Sequence, residues 1–373
     1  MFQSLHLPQI SPERLNALFA DWKRAFPEGG LLALLPKAED AQVGLLQAAA
    51  RAHGIPLVGA VFPALIARSA FHTSGVLLLR METCPPWLLV DRLDVSADAG
   101  MACISRFVEQ ECAGSAADSP STLFLVFDGL LPNIGTLLNT IFKLAGNHVR
   151  YAGINAGSET FQPMPCLFDQ DRKVAGGCIA MLIPSTVQVA VEHCYPVSNP
   201  IFRATSTLAN RIEQIDGRPA MTVYQELLRA EFGVELTAEN FYQHAVHYPL
   251  GLISTHDVLV RIPVGVTPDG AIYCIGEIPP NSYLRLLHAP HLGDSKCVNR
   301  MAARLGASPG PLTVFYCAGR RMHFGADAGV ELSELATAFG GAEVVGALSL
   351  GEIGTDSVVG MPEFHNASLV CAR

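Results

Sequence analysis

Apolar residues fall along this chain in short, nearly unbroken runs separated by amphipathic stretches, a pattern that predicts buried strands alternating with helices. GLLALLP (30 to 36) is one such run, and the following AEDAQVGLLQAAARAHG carries Leu, Ala and Val at helical spacing and stops at Gly54. IPLVGAVFPALI then predicts a strand broken at Phe62-Pro63, and FHTSGVLLLRM a strand entered through a short polar corner.

The same order closes the chain: PLTVFYCAGR, the helical ELSELATAFGG, AEVVGALSLGEIG and FHNASLVCAR. Aligning Gly59 with Gly346 superposes VGA on VGA, Ile66 on Ile353 and, after a longer loop, Phe71-His72 on Phe364-His365. A middle segment has a similar order: STLFLVFDG, LLNTIFKLAGNH, VRYAGINAGS and VAGGCIAMLIP. Such repetition predicts related units packed on one another, with a cleft between halves as the natural ligand position.

Between the outer copies, STLANRIEQIDGRPAMTVYQELL predicts a strand, a turn at Asp216-Gly217 and a helix opening at Pro219. From residue 248 the text alternates strands with turn signals, the clearest at Pro268-Asp269-Gly270, as in an antiparallel meander. The expected fold is therefore α/β (α+β), with two domains, 1–205 and 206–373, in which duplicated strand-helix-strand-strand modules form mixed sheets flanked by helices.

Composition narrows the function classes. Half of the 373 residues are hydrophobic, 16% are charged and the mean hydropathy is +0.30, yet charges, prolines and polar breaks interrupt every long apolar window. GGCIAMLIPSTVQVAVEHC, the longest candidate span, divides at Pro184-Ser185-Thr186 into two strands. With no signal-like N-terminal pattern in MFQSLHLPQISPERL, the expectation is a cytoplasmic protein with no membrane partner. A net charge of −9, with no basic cluster longer than a pair such as Arg320-Arg321, argues against nucleic acid. The ten cysteines show no CxxC spacing and sit mostly in apolar runs, so neither a disulfide framework nor a zinc site is expected.

DGRPAMTVYQELL, YPLGL, PVGVTPDGAIYCIGEIP, FYCAGRRMHFG, SLGEIG and FHNASLV stand in an order and spacing that resembles the FIST (F-box and intracellular signal transduction) family. The N-terminal half matches more thinly. VGAVFPALI stands where the family tends to have a Cys/Ser/Thr-rich turn, and EHCYPVSNP keeps Cys194 and Pro196 of a Gly-Cys-x-Pro-Ile-Gly stretch while His193 and Ser198 replace its glycines. The resemblance implies a FIST N-like and a FIST C-like domain and a sensory role. It implies a small ligand, an amino acid or, in a bacterial subset, haem with nitric oxide, and a signalling partner such as a histidine kinase or a cyclic-nucleotide enzyme.

Candidate ligand residues follow. His193, Cys194 and Tyr195 lie at the end of a predicted strand, and all three types serve as haem-iron ligands; a packed thiol beside a solvated imidazole is the plainer reading. His244 and His247, three apart, share one face of a predicted helix and join His193 as haem-iron candidates, against ordinary helix-terminal histidines. Arg320 and His323, just past the strand of FYCAGRRMHFG, suit a carboxylate held outside strand ends. Glu352 between glycines can project into a cleft or pair with Arg320, and Asn366 lies close by in the repeat.

No G-x-S-x-G, Walker A, strand-linked GxGxxG or HExxH motif is present, which points to a protein that is not an enzyme. A thiol-dependent hydrolase or transferase built on Cys194 is the alternative from another class.

Overall fold

Three copies of one unit, rather than two and a loosely similar middle, build most of the chain. The computed structural model describes residues 2–112, 121–184, 187–254, 258–294, 296–306, 310–355 and 360–373. The first unit comprises β1 (Phe2–Leu7), α1 (Pro12–Ala25), β2 (Gly30–Pro36), α2 (Val43–His53) and β3 (Leu57–Phe62), then a hairpin of β4 (Ala64–Ala67) and β5 (Ala70–His72), then β6 (Val76–Met81). The second repeats this order: β7 (Trp87–Val90), α3 (Ala97–Cys112), β8 (Ser121–Asp128), α4 (Ile134–Ala145), β9 (Val149–Ala156), the hairpin β10 (Leu167–Asp169) and β11 (Lys173–Val174), and β12 (Cys178–Ile183).

The third unit opens with β13 (Val189–Glu192) and is interrupted by an insertion. That insertion holds β14 (Val197–Leu208), β15 (Arg211–Ile215), β16 (Arg218–Pro219), α5 (Ala220–Phe232), α6 (Phe241–Ala245), β17 (Leu250–Ile253), β18 (Val258–Arg261), β19 (Pro263–Val266), β20 (Ile272–Cys274) and β21 (Tyr283–Leu287). The unit resumes with α7 (Cys297–Leu305), β22 (Leu312–Cys317), α8 (Ala318–Phe324), α9 (Ala328–Ala338), β23 (Val344–Ser349), the hairpin β24 (Glu352–Gly354) and β25 (Glu363–His365), and β26 (Leu369–Ala372).

The sheets have one plan. Their strand orders are β1-β6-β2-β3-β10-β11, β7-β12-β8-β9-β24-β25 and β13-β26-β22-β23-β4-β5. In each, the central pair is parallel, joined by a helical crossover, and the other pairings are antiparallel. Every hairpin leaves its own sheet: that of the first unit extends the third sheet, that of the second extends the first, and that of the third extends the second. Strands such as GLLALLP and LVGAVF are buried on both faces, which accounts for their unbroken apolar text.

One residue of each unit makes the hairpin exchange possible. Gly59, Gly153 and Gly346 occupy the same register, opposite Ala33, Leu125 and Val314 on one side and opposite the hairpin residues Phe168, Ile353 and Ile66 on the other. A Cβ at any of them would lie within 2.4 Å of the opposing carbonyl oxygen. Only glycine allows that approach.

The insertion is an antiparallel meander, as the turn spacing predicts, in the order β18-β17-β21-β14-β15-β20-β19. β14 spans residue 205, and register shifts along it let one end pair with β21 and the other with β15. The turn expected at Pro184-Ser185-Thr186 falls partly outside the described residues, which omit 185 and 186; the strands it joins belong to different sheets. Phe71-His72 and Phe364-His365 are not corners but the last residues of β5 and β25. Among the described residues no helix is long and apolar enough to cross a membrane.

Candidate functional site

Equivalent positions of the three units are apolar in two and polar in the third. Leu65 and Leu167 pair with Ala347 and Ala60 on the strand beside their hairpins; the third unit places Glu352 there, opposite Ile154. Ser349 ends β23 where Phe62 and Ala156 end β3 and β9. The Glu352 carboxyl is fully buried and accepts hydrogen bonds from the hydroxyls of Ser349 and Ser368, the latter at 2.7 Å. Burial outweighs those bonds and lifts its pKa to about 8, so the group is protonated at neutral pH.

Around it lie side-chain polar atoms that have no hydrogen-bond partner among the described residues. His365, across from Glu352 in the hairpin, is pushed to about 3 by burial and by the positive charge of Arg261, and its Nε2 has no hydrogen-bond partner. The Asn366 Nδ2–H reaches the Ile275 carbonyl at 3.4 Å, but Oδ1 is unmatched. Asn155, wholly buried on β9, has neither amide atom bonded. Buried polar atoms without partners are rare, and here they cluster.

A pocket opens beside this cluster at the carboxyl ends of β22 and β23, where ligand crevices of α/β sheets lie. Glu159, Cys317, Ser349 and Asn366 contribute polar atoms to its lining, with Gly319 on α8, Tyr242 on α6 and Phe161 from the loop after β9. Its volume of about 20 Å³ admits roughly one water. Phe161 and Tyr242 meet edge to face, with ring centroids 6.3 Å apart, and close one side.

Arg320, just past its strand as expected, belongs to the helix α8 and does not line the pocket. Its guanidinium is completely buried and donates to both carboxylate oxygens of Glu331, at 2.9 and 2.6 Å, and to the carbonyls of His193 and Ala367. The Tyr316 hydroxyl donates to the same carboxylate at 2.7 Å. Arg320 thus ties the loop after β13 to the loop before β26.

His193, Cys194 and Tyr195 follow β13 as expected but do not line the pocket. The His193 Nδ1 accepts the Tyr195 N–H at 3.0 Å, and the Tyr195 hydroxyl is buried without a partner. Cys194 adopts a left-handed φ of 53°. Its thiol lies 3.7 Å from a Glu192 carboxylate oxygen and is also hydrogen-bonded to that of Cys297 at the start of α7; the Cys297 bond, with help from Arg300, lowers its pKa against the opposing effects of burial and of the Glu192 charge.

His244 and His247 do not share a helix face, because α6 ends at Ala245 and His247 lies beyond it. His247 instead meets His323, 2.6 Å between their Nδ1 atoms. The Pro290 carbonyl 2.9 Å away can only accept, so His323 carries its proton on Nε2 and accepts from the Nδ1–H of His247. His247 keeps a lone pair on Nε2. Among the described residues, none of His193, His244, His247 and His323 lines the pocket at Asn366 or either of two further cavities, one beside Leu32 and Phe124 and one beside Trp22 and Arg80.

Sequence reading passed over Glu331, Ser349, Ser368, Asn155, Tyr242 and Cys297. Glu331 left a signal: it shares an apolar helix face with Ala328, Leu332 and Leu335, a place where a charge needs a buried partner.

A comparison of the whole chain with curated proteins finds no match. Residues 31–218 match the FIST N domain and residues 220–355 match the FIST C domain, in the order the resemblance implies. FIST domains are associated with signal transduction and small-ligand sensing. With these matches spanning most of its length, the chain belongs to the FIST family.

Proposed function

We propose that this protein is a non-enzymatic sensor that binds an amino acid beside Glu352 and reports occupancy to a histidine kinase or a cyclic-nucleotide enzyme. The observation that carries the reading is a buried carboxyl where both equivalent units have leucine, with the unmatched side-chain amide of Asn155 and the unmatched Oδ1 of Asn366 nearby. An ammonium group entering the pocket gives the carboxyl a positive partner, so Glu352 releases its proton to the solvent as the ligand binds. The Oδ1 atoms of the two asparagines are acceptors for the ammonium N–H groups, and the Asn155 Nδ2–H is a donor for the ligand carboxylate. Binding must part Phe161 from Tyr242, since the present volume holds about one water. β24 and β25 belong to the third unit but lie in the second sheet, so a shift at Glu352 reaches both.

The test is thermal unfolding against the common amino acids. A ligand should raise the midpoint of the native protein, and the rise should vanish in Glu352→Gln and Asn366→Ala. If no amino acid shifts the midpoint, and Cys194→Ser abolishes turnover of an ester or amide, the sensor reading gives way to a thiol enzyme. The His247–His323 pair favours one second reading, a haem-bound nitric-oxide sensor. That reading requires a Soret band that survives gel filtration and is lost in His247→Ala.

A further inference from the structure

A second cavity lies where the inner faces of the three sheets converge, away from Glu352. It measures about 170 Å³ and is lined mainly by apolar atoms. One cross-strand row in each unit contributes to its walls, Val58-Leu32-Leu79 in the first, Ala152-Phe124-Met181 in the second and Val345-Thr313-Ala372 in the third, while Val187, Gly310, Pro311 and Arg373 border it on the solvent side. The rows occupy matching registers, so the cavity sits on the axis relating the units. Six of the nine residues line it: Leu32, Leu79, Phe124, Ala152, Thr313 and Ala372.

The reason for the space is local. Thr313 stands where the other units have Leu32 and Phe124, Ala372 where they have Leu79 and Met181, and Ala152 where they have Val58 and Val345. Three independent small residues all face one void. Interiors otherwise pack to crystal-like density, and a dry cavity of about 150 Å³ is known to take up benzene or xenon.

We infer that this axial cavity is a binding site for a small apolar molecule, the size of one aromatic ring or a chain of about six carbons. The occupant touches all three sheets at once, and its site is separate from the polar pocket, so either can fail without the other.

The experiment follows thermal unfolding of the full chain with toluene and, separately, with n-hexane. Near saturation either probe should raise the midpoint by about 2 °C or more. Ala372→Leu, which restores the residue type of the first unit, should abolish the rise. Ala152→Val, a smaller filling that two units already contain, carries the same test if the leucine variant does not fold. A crystal pressurised with xenon should show the gas between Phe124 and Ala372. No midpoint shift in the native protein, an equal shift in the filled variants, or a cavity empty of xenon would overturn the inference.

Discussion

Arg320 and Glu331 form a two-pronged ion pair with both side chains at zero exposure, tying α8 to α9. Removing one partner strands the other charge in the core. Glu331→Gln should cost about 3–5 kcal/mol in urea denaturation, whereas the double variant Arg320→Met with Glu331→Leu should recover much of that loss. A double variant no more stable than Glu331→Gln would show that the surrounding carbonyls and Tyr316, not the pair, set the cost.

Glu352 makes stability depend on pH in an unusual direction. Its native pKa of about 8 exceeds the ordinary 4.5, so between these values the native state keeps a proton that the unfolded chain has released. Stability from this group is full below pH 4.5 and declines as pH rises through 8. Glu352→Gln should flatten that decline, measured as denaturation midpoints from pH 5 to about 9.

His365 acts at the other end. Its native pKa of about 3 lies below 6.5, so its contribution is present above pH 6.5 and lost as pH falls through 3. The acid-side loss should persist in Glu352→Gln and shrink in His365→Gln. An unchanged acid limb in His365→Gln would assign it to other groups.

The three matched glycines should be equally intolerant of a methyl group. Gly59→Ala, Gly153→Ala and Gly346→Ala each set a carbon against a carbonyl oxygen and should destabilise by about 2–3 kcal/mol or more. Gly44→Ala, on α2 with open space beside it, should stabilise by about 0.5–1 kcal/mol. Calorimetry on the four variants distinguishes close approach from a general loss of backbone freedom.

Cys194 should alkylate at lower pH than an ordinary thiol, because Cys297 and Arg300 favour its thiolate. Peptide mapping after iodoacetamide treatment across pH 6–10 should show the Cys194 midpoint moving upward in Arg300→Gln and in Cys297→Ala. The fully buried Cys178 and Cys371 should stay unlabelled in the native protein.

The repeat was legible because its glycine is required by contact, so Gly59 and Gly346 recur within identical VGA triplets. The middle copy was harder to see, since Gly153 is followed by Ile154 and then Asn155, whose polarity belongs to the site and not to the strand. Hairpin exchange left no local trace: Ile66 pairs with Gly346 across the whole chain, and alternation alone cannot name a partner strand. At the site, Glu352 and Asn366 stood out as polar residues in apolar or glycine-flanked text. Arg320 stood out too, but its partner did not, because Glu331 lies on a separate short helix beyond Gly325. The contact of His247 with His323 spans the distance from α6 to α8 and is set by packing alone.

The hairpin of residues 64–72 completes its pairing on residues 344–349. A nascent chain that has released this hairpin must therefore carry its outer edge unpaired until β23, about 270 residues later, has been made. Such long-range closure slows folding and prolongs exposure of open strand edges. The ring of exchanged hairpins makes completion of the third unit the event that closes the other two.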